Sequence, residues 1–367
     1  DVMRNFARNR PYYQRQHIID YFGLSGTSVL KLNMEDPGKG SVKIKNAELI
    51  TNHAEGIYFK DVPVELKAIP KVGYRFVRWD GIVLDSINPV SIIIPGDSLT
   101  LTAVFDTVST NVIPSVISSD TTLRKEFSPY YATDDIIVDS NVTLTVESGV
   151  EILMPENAGF IVYGRLIVNG TEEEPVLISP NEYAGYWGAI CFVNSTDSSV
   201  ISNLKISDAT TGRDFDRDRA AISGYNANFS LHNVTIDNSK SPVYVQYGNV
   251  FISGCKLYTD VAGDLINIKY AESATVENCD LQGSDHYDSD AIDYDYLSNG
   301  IICRNRIYNF YGFNSDAIDI GEEAKEVIVD SNIIYNISDK GISIGGSSTA
   351  EIKRNVIANC SQGVGIK

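Results

Sequence analysis

Ile302-Cys-Arg-Asn-Arg-Ile307, Val329-Asp-Ser-Asn-Ile-Ile334 and Ile352-Lys-Arg-Asn-Val-Ile357 share one frame, an apolar residue at each end and an Asn three places in. The frame runs back through Val276-Glu-Asn-Cys-Asp-Leu281, Ile252-Ser-Gly-Cys-Lys-Leu257, Leu231-His-Asn-Val-Thr-Ile236 and Ile201-Ser-Asn-Leu-Lys-Ile206, at intervals of 21 to 30 residues. A second apolar strand follows most copies, at Ser241 to Val245, Asp264 to Ile268, Asp290 to Tyr294, Asp316 to Ile320 and Lys340 to Ile344. Strands this short bury their apolar side only by stacking on copies of themselves, which is the logic of a solenoid. The spacing therefore predicts an all-β chain dominated by a right-handed parallel β-helix, with two strands per coil.

Composition limits what such a chain does. Its 367 residues are 43% hydrophobic, enough for more than one core. A formal charge of −18 repels phosphate backbones and excludes nucleic acid as a partner, while suiting cation binding or plain solubility. No apolar run approaches the roughly 20 residues of a membrane span. Five Cys stand without CxxC pairs or His clusters, which argues against structural zinc. Cys255 and Cys279 fall in one inward column, as a thiol ladder or a disulfide, and buried Cys favours the ladder.

Four segments are expected. Residues 1–28 read as a helix, with Phe6, Tyr12, Tyr13, Ile18, Ile19 and Phe22 among Arg and Gln and with Gly23 and Gly26 after it. Its wording, Met3-Arg-Asn-Phe-Ala-Arg-Asn-Arg-Pro11 and Arg15-Gln-His-Ile-Ile-Asp-Tyr-Phe-Gly-Leu24, resembles the end of spore-coat-kinase (CotH) domains, implying a remnant of an upstream domain. Residues 29–107 alternate with period two and predict a small antiparallel β domain. There Val64 to Pro70, Gly73-Tyr-x-Phe-x-x-Trp-x-Gly81 and Leu101 to Phe105 resemble the InlB-type B repeat of bacterial surface proteins. Tyr74, Phe76 and Trp79 could form a sugar platform, but Phe76 and Trp79 are read in preference as core anchors. Residues 108–128 read as a linker and 129–367 as the β-helix, with an abrupt stop at Lys367 that implies further chain downstream. The run Asp208 to Arg219, with its alternating charges, reads as a solvated loop.

Chemistry is expected where outward side chains stack. If Ile292 and Ile318 point inward, Asp293, Asp295 and Asp319 point outward, and one column runs Asn267, Asp293, Asp319, Ser343. Carboxylates stacked at about 4.8 Å repel, so a cation, a Lys or a raised pKa must compensate. Oxygen donors of this kind suit Ca²⁺. A second column, Asp264, Asp290, Asp316 and Lys340, opens the same strands. Its Asp residues are equally well explained as turn caps. Asp285, His286 and Asp288 lie on the preceding turn, where His286 is a candidate acid or base. Asn305, Asn332 and Asn355 read as a structural amide ladder.

The two acidic columns resemble calcium-dependent pectate-lyase-like β-helices. That resemblance implies Asp293, Asp316, Asp319 and Asp290 as calcium ligands and Lys340 as the base that abstracts a proton from a uronate. Asp295, Asn314, Tyr294 and Tyr296 would then contact the sugar. The family's Asp-Asp doublet is absent and no Arg accompanies Lys340, so binding is implied more strongly than catalysis. Asn314-Ser-Asp-Ala-Ile-Asp319 and Lys340-Gly-Ile-Ser-Ile-Gly345 also echo polygalacturonase-type hydrolases. The expected function is that of a secreted or cell-surface protein that binds or processes polysaccharide, with uronate-containing polymers as candidates, using Ca²⁺. The alternatives are a non-catalytic adhesin or spacer and a glycoside hydrolase.

Overall fold

The computed structural model describes residues 2–45, 47–49, 51–70, 74–81, 86–107, 111–195 and 198–367. The chain divides into two compact units, Asp1–Thr110 and Asn111–Lys367.

The second unit is a parallel β-helix whose coils carry three strands, one more than the sequence suggests, until the end, where the second and third run together as Ile333–Ile344 and Val356–Ile366. The frame Ile252-Ser-Gly-Cys-Lys-Leu257 is two strands, Val250–Ser253 and Lys256–Tyr258, with a sharp corner between them. That corner recurs with a left-handed residue at Asn203, Asn233, Gly254, Asn278, Arg304, Ser331 and Arg354. Asn and Gly tolerate this backbone best, which explains their frequency there. The first face is a ten-stranded sheet from Thr121–Leu123 to Ala350–Lys353. The second runs from Tyr130–Tyr131 through Asp280–Gln282 and Arg306–Phe310, each strand pairing in parallel with its counterpart on the next coil. The third runs Val116–Ile117, Ile136–Val138, Phe160–Val162, Ile190–Val193, Ile222–Tyr225, Val243–Gln246, Ile266–Lys269, Ile292–Asp295 and Ile318–Ile320, and continues into Ile333–Ile344.

Inward columns of Ile, Val, Leu and Phe fill a single core along the axis. At the first corner the inward position is Val234, Cys255 and Cys279, then Asn305 and Asn332, all buried, and last the half-buried Asn355. The three Asn form the expected ladder: Asn305 Nδ2 donates to Asn332 Oδ1 at 3.0 Å, and Asn332 Nδ2 to Asn355 Oδ1 at 2.9 Å. Each Asn Oδ1 also accepts the backbone N–H of the rung before it, at 2.9 Å in every case. Cys255 and Cys279 are buried free thiols.

The stretch expected as a linker is in part the start of the solenoid. Val116–Ile117 pairs with Ile136–Val138, and Thr121–Leu123 with Thr143–Val146. Strands of two or three residues carry no periodic signal of their own and are held by the rung above.

The first unit holds a helix, Val2–Phe22, and two four-stranded sheets. All its strand pairs are antiparallel except Thr27–Met34 with Ser98–Thr107. Trp79 is fully buried, and Phe76 packs against it at 5.4 Å and against Phe105 at 6.2 Å, so these rings are core. Among the described residues no helix is long and apolar enough to cross a membrane.

Candidate functional site

The candidate residues lie on the third face, whose strands are preceded by long turns such as 283–291 and 311–317. Ile266, Ile292 and Ile318 point inward, which sends the alternate residues out. In register these are Ile161, Cys191, Ser223, Tyr244, Asn267, Asp293, Asp319 and Ser343. The predicted column Asn267, Asp293, Asp319, Ser343 is therefore present. It is recessed as well, since Asn267 is 9% and Ser343 0% exposed.

Beside it stands the second acidic column, and here each carboxylate caps the next coil. Asp264 Oδ1 accepts Asp290 N–H at 2.9 Å, Asp290 Oδ1 accepts Asp316 N–H at 2.6 Å, and Asp316 Oδ1 accepts Lys340 N–H at 2.8 Å. The two columns are tied together by Asn267 Nδ2, which donates to Asp264 Oδ2 and to Asp293 Oδ2, both at 2.7 Å. One oxygen of each strand-opening Asp is thus structural, and the groove's chemistry falls to what remains.

Burial and mutual repulsion shape these carboxyls. Burial, then the neighbouring Asp264, pushes Asp290 up to about 9. Burial also raises Asp293 well above the usual carboxylate range, reinforced by Asp264 and Asp295 and opposed by Lys269. Asp264 and Asp316 are raised, again chiefly by burial. Three lysines sit at the two ends of the column. Lys269 lies 2.8 Å from Asp295 and 3.9 Å from Asp293, and Lys367 lies 3.0 Å from Asp319 and 3.8 Å from Asp316. Lys340 pairs with Asp339 and lies 3.5 Å from Asp316.

Within this cluster Asn267 Oδ1, Asp319 Oδ1 and Ser343 Oγ are buried without a hydrogen-bond partner. All three are oxygens, and all lie in the one column that also holds Asp293. A hard cation takes such donors. Among the described residues the column does not bring three His, Cys or carboxylate ligand atoms within 4.8 Å of one another; Asp260, Asp285 and His286 do. A cation in the groove would bridge carboxylates of neighbouring rungs, with Asn267, Ser343, water and substrate oxygens completing its shell.

Several residues expected here have other roles. Tyr294 is in register with Ile268 and Ile320, fully buried, and faces the core, because it shares the phase of Ile292 and not that of Asp293. Asp295 is 6% exposed and committed: it binds Lys269, and its Oδ1 accepts Glu322 N–H at 2.9 Å. Although burial opposes it, the Lys269 ammonium and this amide hold the Asp295 carboxyl below its ordinary value. Lys340 is ion-paired with Asp339 and Asp316. Burial lowers its pKa, but the Asp339 and Asp316 carboxylates outweigh burial and the net shift is upward. His286 turns to Asp260, its Nε2 lying 2.7 Å from the Asp260 carbonyl, and Asn314 Nδ2 donates to Asp288 at 2.5 Å. Tyr296 is exposed, but its ring stacks on Tyr270 at 4.7 Å, and Tyr270 stacks on Tyr247 at 5.0 Å, in a ladder on the outer corner.

Comparison with known proteins agrees with this architecture. The family model described as "Right handed beta helix region" matches residues 188–357, giving the coil its hand. A 92-residue stretch is 35% identical to the protein bark beetle of Drosophila melanogaster, covering 25% of this chain and 3% of that protein. Among solved structures, the catalytic domain of a GH87 α-1,3-glucanase in complex with tetrasaccharides aligns over 92% of this chain and 88% of its own, at 10% identity and a TM-score of 0.33. The A-module of the mannuronan C-5 epimerase AlgE4 of Azotobacter vinelandii aligns over 68% and 85%, at 11% identity and a TM-score of 0.25.

Proposed function

We propose that the third face is a polysaccharide-binding groove of an extracellular protein and that its acidic column takes a divalent cation, Ca²⁺ by the chemistry of its donors. The observation that carries this reading is the set of buried, unpaired oxygens, Asn267 Oδ1, Asp319 Oδ1 and Ser343 Oγ, beside the raised carboxyls of Asp290 and Asp293. Each unpaired group costs about 1–3 kcal/mol unless a ligand satisfies it. A cation beside Asp293 and Asp319 would also offset the burial and the neighbouring charges that raise Asp293. An extended solenoid face suits a long polymer. The B-repeat-like wording of residues 64–105 supports placement outside the cell.

The test is calorimetric titration of Ca²⁺ into EDTA-stripped protein, beside an Asp293→Asn/Asp319→Asn variant. Saturable binding in the range of about 0.1–1 mM, typical of extracellular sites, is expected for the wild type and at least a tenfold loss for the variant. A wild type that binds no Ca²⁺ overturns the cation reading and leaves the spacer.

For catalysis, the pairing of Lys340 argues against a lyase base. A hydrolytic reading has one specific support: Asp290, held as the neutral acid at pH 7, has the protonation state of a general acid toward a glycosidic oxygen.

A further inference from the structure

The run Asp208 to Arg219 does not extend freely into solvent. It leaves the strand Leu204–Ser207, and Gly212 N–H closes on the Asp218 carbonyl at 2.9 Å. Arg213 reaches back to Asp134 at 2.9 Å and Asp135 at 3.1 Å, residues that precede a third-face strand three rungs away. The loop and the face enclose a cavity of about 580 Å³. This lies within the range of small-molecule sites. Its lining includes Gly159, Gly188 and Ala189, which present backbone, together with Asp135, Asp218 and Phe215.

We propose that this cavity is a binding site for a neutral saccharide of one or two units, separate from the acidic column. Asp218 is 4% exposed, and its Oδ1 is buried with no hydrogen-bond partner. Arg217 Nε lies 3.2 Å from Asp214 and 3.5 Å from Asp218 and is held by these carboxylates. Asp218 Oδ1 remains as a buried acceptor, which the O–H of a hydroxyl satisfies. Phe215, 72% exposed on the loop, supplies the apolar face against which a sugar ring packs. Asp134, Asp135, Asp214, Asp216 and Asp218 outnumber Arg213, Arg217 and Arg219 by five to three, which disfavours an anionic ligand. The thiol of Cys191 on the cavity wall is raised well above its ordinary value by burial and then by Asp218. From Cys191 to Asp293 the register counts four rungs, about 19 Å at 4.8 Å each.

The experiment is saturation-transfer NMR and calorimetry in EDTA with glucose, galactose, mannose, xylose, cellobiose and maltose as probes. Wild type, Phe215→Ala, Asp218→Asn and Asp293→Asn/Asp319→Asn are compared. Binding of at least one probe is expected, weakened at least tenfold by Phe215→Ala, whose exposed ring makes the variant safe to fold. Binding should be unchanged in the acidic-column variant. Absence of binding by every probe overturns the proposal. So does binding that survives Phe215→Ala or that is lost in the acidic-column variant. Because EDTA is present throughout, failure of the calcium reading leaves this result unaffected.

Discussion

Asp290 illustrates how a single residue combines support and chemistry. Its Oδ1 holds the Asp316 amide, while burial and the neighbouring acids keep its carboxyl protonated up to about 9. Since the folded pKa lies above the unfolded one, the folded state binds the extra proton between about pH 4 and 9, and stability falls as pH rises through that window. Asp290→Asn keeps the capping oxygen and removes the titration. In EDTA its melting temperature should exceed that of the wild type by a margin that grows from pH 5 to pH 8; an equal margin at both would show that Asp290 is not held neutral. The same variant should lose any release of reducing ends from polysaccharide. Asp293 and Asp319 were legible as an outward pair because alternation is a property of the backbone. Lys340 was not legible as an ion-paired residue, because its partner Asp339 is adjacent in sequence and only the bulged strand turns the two side chains together.

The Asn ladder is the clearest case at the scale of an element. Asn332 is fully buried and makes four hydrogen bonds, to Ile302 O, Asn355 Oδ1, Asn305 N and Asn305 Nδ2. Asn332→Ala strands several buried groups at once and should cost about 3 kcal/mol in chemical denaturation. A loss below about 1 kcal/mol would mean that water replaces the amide. The ladder was readable from the recurrence of Asn at one place in the frame. The division of that frame into two strands was not, because the corner turns on a single left-handed residue that Asn, Gly, Ser and Arg all occupy. The same limit hid the strands Val116–Ile117 and Thr121–Leu123 inside a polar stretch.

Among the described residues the two large cores are separate, one around Trp79 and Leu101 and one along the solenoid axis. Trp79→Ala should therefore cost about 3–5 kcal/mol within the first unit. Hydrogen exchange should show lost protection around Leu30, Leu66 and Leu101 and unchanged protection at Ile266, Ile292 and Ile318; loss in both would refute separate cores. By itself, the sequence determined the coil, its register, the inward amides and the outward acids, because period and alternation are written locally and stacking only repeats them. The tertiary structure alone decided which outward residues are recessed, that Tyr294 fills the core, that the lysines are already paired, and that Arg213 folds its loop back onto Asp134, 79 residues away. Those outcomes depend on turns of unequal length folding over neighbouring rungs, and no periodic signal records where such a turn comes to rest.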